Sequence, residues 1–334
     1  MESPLLSLLT REGVLVKVSV RYWRGCKKLK AEDLGLKSAD ISDRHISLGH
    51  KRLLPRESTQ HLALLEGRAH ALIEGNTFPF LNGLGHFLPN ARLAEITQRL
   101  TELELEFWQA RDEFLQRYAA LRQSAAREWQ AMAQKLVKDP ERLLATIDAS
   151  FPVPARMNRF YGFETHLFQV SVPECLGVEL ITTAEQQQVI AARQQAASEA
   201  GAKIRQDVEA FVAECVASLR EQTAQLCTEM LHSIQHSETG VHQKTLNRLL
   251  RFIDQFKQMN FVNDTEMERE LERVRRELLS RTAEEYRDST TARTRLTTGL
   301  QHLADHARQL ARQDASDLVE RFGELGRRKF QLAA

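Results

Sequence analysis

The amino-acid sequence predicts a mainly α protein: an elongated antiparallel coiled-coil hairpin of two helices of about 50 residues each, shorter C-terminal helices, and a small β-containing N-terminal and cap region. Three observations support this fold class. Apolar residues return every three or four positions from Pro89 to Leu136, with no Pro or Gly inside the run. A second long stretch, from about Thr183 to His236, also lacks Pro. The 8 prolines and 15 glycines lie mostly in residues 1–90 and 139–183.

These features divide the chain into five predicted segments. We expect an N-terminal α+β region with a basic patch (1–88), a first long helix (89–138), an aromatic cap with one or more short strands (139–183), a second long helix (184–236), and C-terminal helices (241–326).

A half-buried strand is predicted near the N-terminus. Residues 13–23 alternate between apolar and polar, with the valines at 14, 16, 18 and 20 on one side. A strand needs a pairing partner, and residues 161–172 are the best candidate because they are rich in Phe and Val between Gly162 and Pro173. Such a pairing would place the first strand beside one end of the first long helix.

The chain is strongly basic between Lys17 and Arg56. This stretch holds 11 Lys and Arg residues and 4 Asp and Glu residues, a net charge of +7. The predicted contact residues for a partner or nucleic acid are Arg21, Trp23, Arg24, Lys27, Lys28, Lys30, Lys51 and Arg52. One interpretation is a phosphate-binding patch in which Tyr22 and Trp23 stack on bases. The alternatives are a solvated surface and a basic face that binds an acidic protein.

Residues 57–75 predict a short amphipathic helix that ends at Gly75. The following segment, to Leu88, is rich in Phe and in turn residues, and we interpret it as a loop buried against the base of the first long helix. Asn90 is the predicted N-cap of that helix.

The first long helix carries an apolar stripe that requires partner helices. From Leu93 to Phe114 the steps alternate between three and four, as in a coiled-coil seam. Beyond Phe114 the steps lengthen, so the supercoil should relax there. The seam residues predicted in this second half are Tyr118, Leu121, Ala125, Trp129, Met132 and Leu136. A helix of this length measures about 70–75 Å.

Short helices are predicted over 140–149, 241–261 and 264–286, and a last helix begins near Ser289. The apolar stripe of this last helix comprises Leu296, Leu300, Leu303, Ala307, Leu310, Leu318 and Phe322, and Gly323 and Gly326 end it.

The sequence contains two His pairs at helical spacing, His232/His236 and His302/His306. This spacing suits two zinc ligands, but the sequence offers no third ligand and no Glu after the first His. No nucleotide-binding loop and no nucleophile motif is complete. We therefore expect no catalytic residue, no cofactor and no metal site.

Composition argues for a cytoplasmic protein. The 46 basic and 45 acidic residues nearly balance, so the chain as a whole has no field that attracts nucleic acid or membrane. The four cysteines are far apart, and Cys215 and Cys227 lie on or near apolar stripes. The N-terminus has no signal-peptide pattern, and no apolar run is long enough for a membrane span.

Three N-terminal strings carry a resemblance to a family: GVLVKVSVRYWRGCKKLKAEDLGL, ISLGHKRLLP, and the FPF and GHFLPN segment. The chain resembles the uncharacterised bacterial DUF3150 proteins from about Gly13 to residue 280. The resemblance implies an accessory protein of a mobile element, encoded near a MoxR-type or cobalt-chelatase-like AAA+ ATPase. It implies no catalytic residues.

The first functional hypothesis is a non-enzymatic scaffold or adaptor that self-associates or binds an AAA+ ATPase through its N-terminal region. The second is a nucleic-acid-binding accessory protein that uses the basic patch. An enzyme that acts through a His pair is a third hypothesis.

Overall fold

The computed structural model describes residues 4–36, 48–170, 184–237 and 240–322. Several predictions fall outside these ranges: the basic residues Lys37 and Arg44, the distal part of the cap at 171–183, and the helix end at Gly323 and Gly326.

The structure is dominated by helices. They are α1 (Pro4–Glu12), α2 (Gln60–Glu74), α3 (Asn90–Leu136), α4 (Pro140–Ser150), α5 (Ala184–His236), α6 (Gln243–Met259), α7 (Thr265–Leu278), α8 (Ala283–Asp288) and α9 (Thr290–Phe322). The strands are β1 (Gly13–Arg21), β2 (Cys26–Lys28), β3 (His50–Arg52), β4 (Phe78–Phe80), β5 (Gly85–Pro89) and β6 (Gly162–Phe168). The predicted mainly α class, with two long helices and a small antiparallel β region, is confirmed.

Contacts divide the chain into two compact units. The helical unit comprises Met1–Val16, Asn76–Leu93 and Leu167–Ala334, and the basic unit comprises Lys17–Gly75 and Ala94–His166. Each unit is therefore assembled from segments that are distant in the sequence.

A four-stranded sheet has the strand order β4-β5-β1-β6. The predicted neighbours, residues 13–23 and 161–172, supply the adjacent strands β1 and β6. The segment that we interpreted as a loop forms β4 and β5 instead, and β5 pairs antiparallel with both β4 and β1. Its alternation is hidden in the sequence because aromatic residues and turn residues are interleaved there. Gly13 allows close approach, since a Cβ at this position would lie 2.5 Å from the carbonyl oxygen of Leu88.

The aromatic residues of this segment are buried as predicted, but their rings pack against α5 and not, as predicted, against the base of the first long helix. Phe80 and Phe87 are fully buried. Both rings contact Phe211 of α5, at centroid distances of 4.8 and 5.8 Å. Asn90 is the first residue of α3, and its side-chain amide donates to the carbonyl of Arg11 at 2.6 Å.

The helical unit is built around an antiparallel pair formed by α5 and α9. Near one end of the pair Arg293 donates to the carbonyl of Ile234 at 2.9 Å, and near the other Arg220 donates to that of Leu310 at 3.3 Å. The predicted partner of α5 is α3, and this prediction is wrong, because α9 packs along α5. An apolar stripe shows that a helix face is buried but not which helix covers it, and α3 and α9 both carry such stripes.

Residues 264–286, predicted as one helix, form α7 and α8 with a break between them. Thr282 accepts a hydrogen bond from the amide of Glu285, and the Glu285 carboxylate accepts one from the amide of Thr282. This reciprocal capping box starts a new helix. It also turns Tyr286 inward, where its hydroxyl donates to the carbonyl of Leu278.

The basic unit packs along one face of α3. The predicted seam residues from Ile96 to Tyr118 are buried: Ile96, Leu100, Leu103, Phe107, Ala110, Phe114 and Tyr118. Further along, the predicted seam residue Ala125 is also buried, but Met132 and Leu136 are 42% and 55% exposed, and Ala133, one position after Met132, is buried instead.

Candidate binding cleft on the basic unit

Trp23 lies in the core of the basic unit. It is only 5% exposed. Its ring centroid lies 6.1, 5.7 and 6.1 Å from those of Phe114, Tyr118 and Phe151. The interpretation of Trp23 as a stacking platform for bases is therefore corrected: its ring faces are covered by other aromatic rings, which it holds together.

Lys51 is also unavailable to a partner. Its ammonium group lies 2.7 Å from the carboxylate of Asp33, and the two side chains are 5% and 3% exposed. Burial by itself would raise the pKa of Asp33, but the hydrogen bonds from Lys51 Nζ and from the backbone N–H of Lys30 outweigh it and lower the pKa below its usual value. Lys51 is thus a buried structural charge, which corrects its assignment as a contact residue.

Two of the predicted arginines are neutralised by carboxylates of the same unit. Arg21 lies 2.5 Å from Glu164, and Arg24 lies 2.7 Å from Glu66. Lys27, Lys28 and Lys30 are exposed. Lys27 and Lys28 make no ion pair with a carboxylate among the described residues, so they remain as open positive charges on β2.

Strands β2 and β3 pair antiparallel, with Cys26 opposite Arg52 and Lys28 opposite His50. A cleft of about 1010 Å³ lies beside this two-stranded sheet and the start of α2. Its lining includes Tyr22, Arg24, Arg52, Arg56, Glu57 and Leu64. Arg56 and Glu57 were not predicted as cleft residues; the available signals were that Arg56 ends the basic stretch and that Glu57 begins the predicted helix.

On one wall of the cleft, the positive and negative side chains pair with each other. The guanidinium of Arg24 lies 5.4 Å from the ring centre of Tyr22 and also pairs with Glu66. Burial raises the pKa of the Tyr22 hydroxyl, and the nearby carboxylate of Glu66 raises it further. Tyr22 is therefore a neutral hydrogen-bonding group at physiological pH.

The other wall carries positive charge without compensation. Arg52 and Arg56 are exposed, and neither side chain has an ion-pair partner in the described part of the chain. The backbone of Arg52 is nevertheless fixed, because it lies in β3 and its carbonyl accepts a hydrogen bond from the indole of Trp129 at 3.1 Å. This wall thus presents free guanidinium groups on an ordered backbone.

The two His pairs have ordinary structural surroundings. The rings of His232 and His236 stack at 4.1 Å. Those of His302 and His306 are 6.2 Å apart, and His306 Nε2 lies 3.4 Å from a carboxylate oxygen of Glu266. No cluster of three or more metal-ligating side chains occurs among the described residues.

Two cysteines of the helical unit are buried in its core. Burial raises the pKa of Cys215 well above its usual value and raises that of Cys227 to about 12. Both thiols therefore stay protonated and unreactive at neutral pH.

Fold and cleft together define a mainly helical, two-unit protein with an arginine-lined cleft. Within the described residues, no helix has both the length and the apolar character needed to cross a bilayer. The model of the DUF3150 family, described as "Protein of unknown function (DUF3150)", matches residues 10–305. The chain belongs to this family, as its N-terminal strings predicted. No curated protein and no solved structure matches it.

Proposed function

We propose that the protein is a non-enzymatic, cytoplasmic helical adaptor that binds another protein through its basic unit. The observation that carries this proposal is the set of exposed, uncompensated cations on the two-stranded sheet, Lys27, Lys28 and Arg52. Because the chain as a whole has a net charge of only +1, this local excess is a specific surface feature. An acidic protein surface is its natural complement.

The partner that the family resemblance favours is a MoxR-type AAA+ ATPase encoded by a mobile element or defence locus. The experiment is a pull-down of the tagged chain from its native host, with and without nuclease, followed by mass spectrometry. We expect a stoichiometric protein partner that survives nuclease and is lost in the Lys27→Glu/Lys28→Glu double variant.

The matched control is the Arg117→Glu/Arg127→Glu double variant, which changes two exposed arginines on α3, away from β2 in the sequence. This variant changes the net charge equally but leaves β2 intact, so it should retain the partner. Recovery of no protein partner, together with a monomer by light scattering, would contradict the adaptor function.

Nucleic-acid binding is the second candidate, and the adjacent exposed Lys27 and Lys28 favour it. It predicts that the logarithm of the association constant for nucleic acid falls linearly with the logarithm of the salt concentration. The slope should be smaller for the Lys27→Glu/Lys28→Glu double variant. Flat isotherms with DNA and RNA at low salt would remove this candidate. Its support is reduced by the burial of Trp23 and Lys51, since neither can contact bases or phosphates.

A further inference from the structure

We infer that the cleft beside β2, β3 and the start of α2 binds carboxylate side chains of an acidic, partly apolar peptide segment. Arg52 and Arg56 are the anion-binding groups in this inference. It rests on the proposed adaptor function and specifies the chemistry of the partner segment that the basic unit accepts.

The two arginines are suited to hold carboxylates. A guanidinium presents planar N–H donors that match a carboxylate in a bidentate arrangement. Elsewhere in the basic unit arginines pair with carboxylates of the chain itself, through one contact in Arg24–Glu66 and two in Arg68–Glu106. Arg52 and Arg56 stand on the same cleft without such a pair, and so they are open to a carboxylate from outside.

The backbone positions of both arginines are fixed before any ligand binds. Arg52 is held by pairing with Cys26 and by the Trp129 indole, and Arg56 opens the 3₁₀ turn Arg56–Thr59 that leads into α2. Fixed backbone positions reduce the conformational entropy lost when the two side chains bind a ligand.

The remaining lining favours a peptide over a nucleic acid. Glu57, next to Arg56 in the cleft lining, would repel a continuous run of phosphates, whereas a peptide can place an apolar residue beside it. The ring of Tyr22 is covered by Arg24, which leaves it poorly placed for base stacking. Leu64, in contrast, is 58% exposed at the cleft and offers an apolar contact. The cleft therefore matches a segment that combines acidic and apolar side chains.

The test is fluorescence anisotropy with the purified full-length chain and three labelled probes: a short peptide of alternating Glu and Leu, the same peptide with Lys in place of Glu, and an oligothymidylate of similar length. We expect binding of the Glu-Leu peptide only. Arg52→Glu and Arg56→Glu should each weaken it about tenfold or more, since each change removes a charge-assisted hydrogen bond to the peptide and adds a repulsive carboxylate.

Two further variants separate binding from general charge or folding effects. Arg127→Glu, with the same charge change at an exposed site on α3, should leave the affinity unchanged. Glu57→Gln should tighten binding, because it removes a repulsive carboxylate from the cleft. Loss of binding in Arg127→Glu, no effect of the Arg52 and Arg56 substitutions, or failure of the Glu-Leu peptide to bind would each overturn the inference.

Arginine-dependent binding of the oligothymidylate in place of the peptide would overturn the inference in favour of nucleic acid. The pull-down from the native host distinguishes failure of the peptide-cleft inference from failure of the adaptor function. A host protein captured equally by wild type, Arg52→Glu and Arg56→Glu would overturn the cleft assignment and leave the adaptor function in place. Arginine-dependent binding of the Glu-Leu peptide, with no host protein captured, would support the cleft assignment and overturn the adaptor function.

Discussion

Two buried tyrosines of the basic unit differ in a single hydrogen bond. Tyr118 donates its hydroxyl proton to the carbonyl of Pro152 at 2.8 Å, whereas the Tyr161 hydroxyl is buried with no partner among the described residues. Burial raises the pKa of both, so both remain neutral across the physiological range.

We predict opposite effects for the two Phe substitutions. Tyr118→Phe should lower the free energy of unfolding by about 1 kcal/mol or more, because it leaves the Pro152 carbonyl without its donor. Tyr161→Phe should leave stability unchanged or raise it, because it removes a desolvated hydroxyl that makes no bond. Urea denaturation of the two variants beside wild type measures the difference. Equal destabilisation by both would contradict this assignment.

The buried Asp33–Lys51 pair predicts a pH dependence of stability. Because the folded-state pKa of Asp33 is below its unfolded value of about 3.9, its contribution is complete above that value and is lost as pH falls through the lower folded pKa. Wild type should therefore lose stability below about pH 4 more steeply than the Asp33→Asn/Lys51→Met double variant.

Urea midpoints measured from neutral to acidic pH provide the check. The single variant Lys51→Met should be destabilised by about 3–5 kcal/mol at neutral pH, since it leaves the buried carboxylate without its cation. Parallel pH curves for wild type and the double variant would show that the pair contributes no acid sensitivity.

At this scale the sequence identified the charged residues but not their roles. Lys27 and Lys51 stand in the same basic run, yet one is exposed and the other is buried against Asp33, 18 positions earlier in the chain. Such a partner cannot be read from local pattern. Trp23 was misinterpreted for the same reason, because its three ring neighbours come from distant helices and loops.

Secondary-structure elements were predicted better than individual contacts. The stripe of α3 from Ile96 to Tyr118 and that of α9 up to Leu310 are buried as the spacing indicated. The α7–α8 break was missed although its capping box, Thr282 followed by Glu285, is visible in the sequence. The choice of α9 as the partner of α5 depends on tertiary packing, which amphipathic spacing does not specify.

A pair of glycines tests how tightly the elements pack. Gly13 in β1 lies against β5, where an added Cβ would come within 2.5 Å of the Leu88 carbonyl oxygen. Gly67 lies within α2, with no atom within 4 Å of such a Cβ. We predict that Gly13→Ala destabilises by about 1–3 kcal/mol through overpacking. Gly67→Ala should stabilise by about 0.5–1 kcal/mol through helix propensity.

Thermal denaturation followed by circular dichroism compares the two changes directly. Since both replace Gly by Ala, a shift of the same sign in both variants would argue against the close contact between β1 and β5.

Over the whole molecule, the sequence predicted the fold class but not its division into units. Long uninterrupted apolar periodicity and the clustering of Pro and Gly were sufficient for the class. The units interleave distant segments, so that β1, α3 and β6 each pass from one to the other. Linear segmentation of the chain could not have given this arrangement. The candidate cleft could not be predicted from the sequence either, because it forms where a short sheet meets the start of α2.

The distribution of thiols makes the cleft accessible to a chemical reporter. Cys26 lines the cleft and is partly exposed, whereas Cys215 and Cys227 are buried and resist alkylation. In a Cys175→Ser background, a maleimide dye should therefore attach at Cys26 in preference to these two. Occupancy of the cleft would then be read as a change in dye emission, which allows a collection of unlabelled peptides to be screened against a single labelled protein.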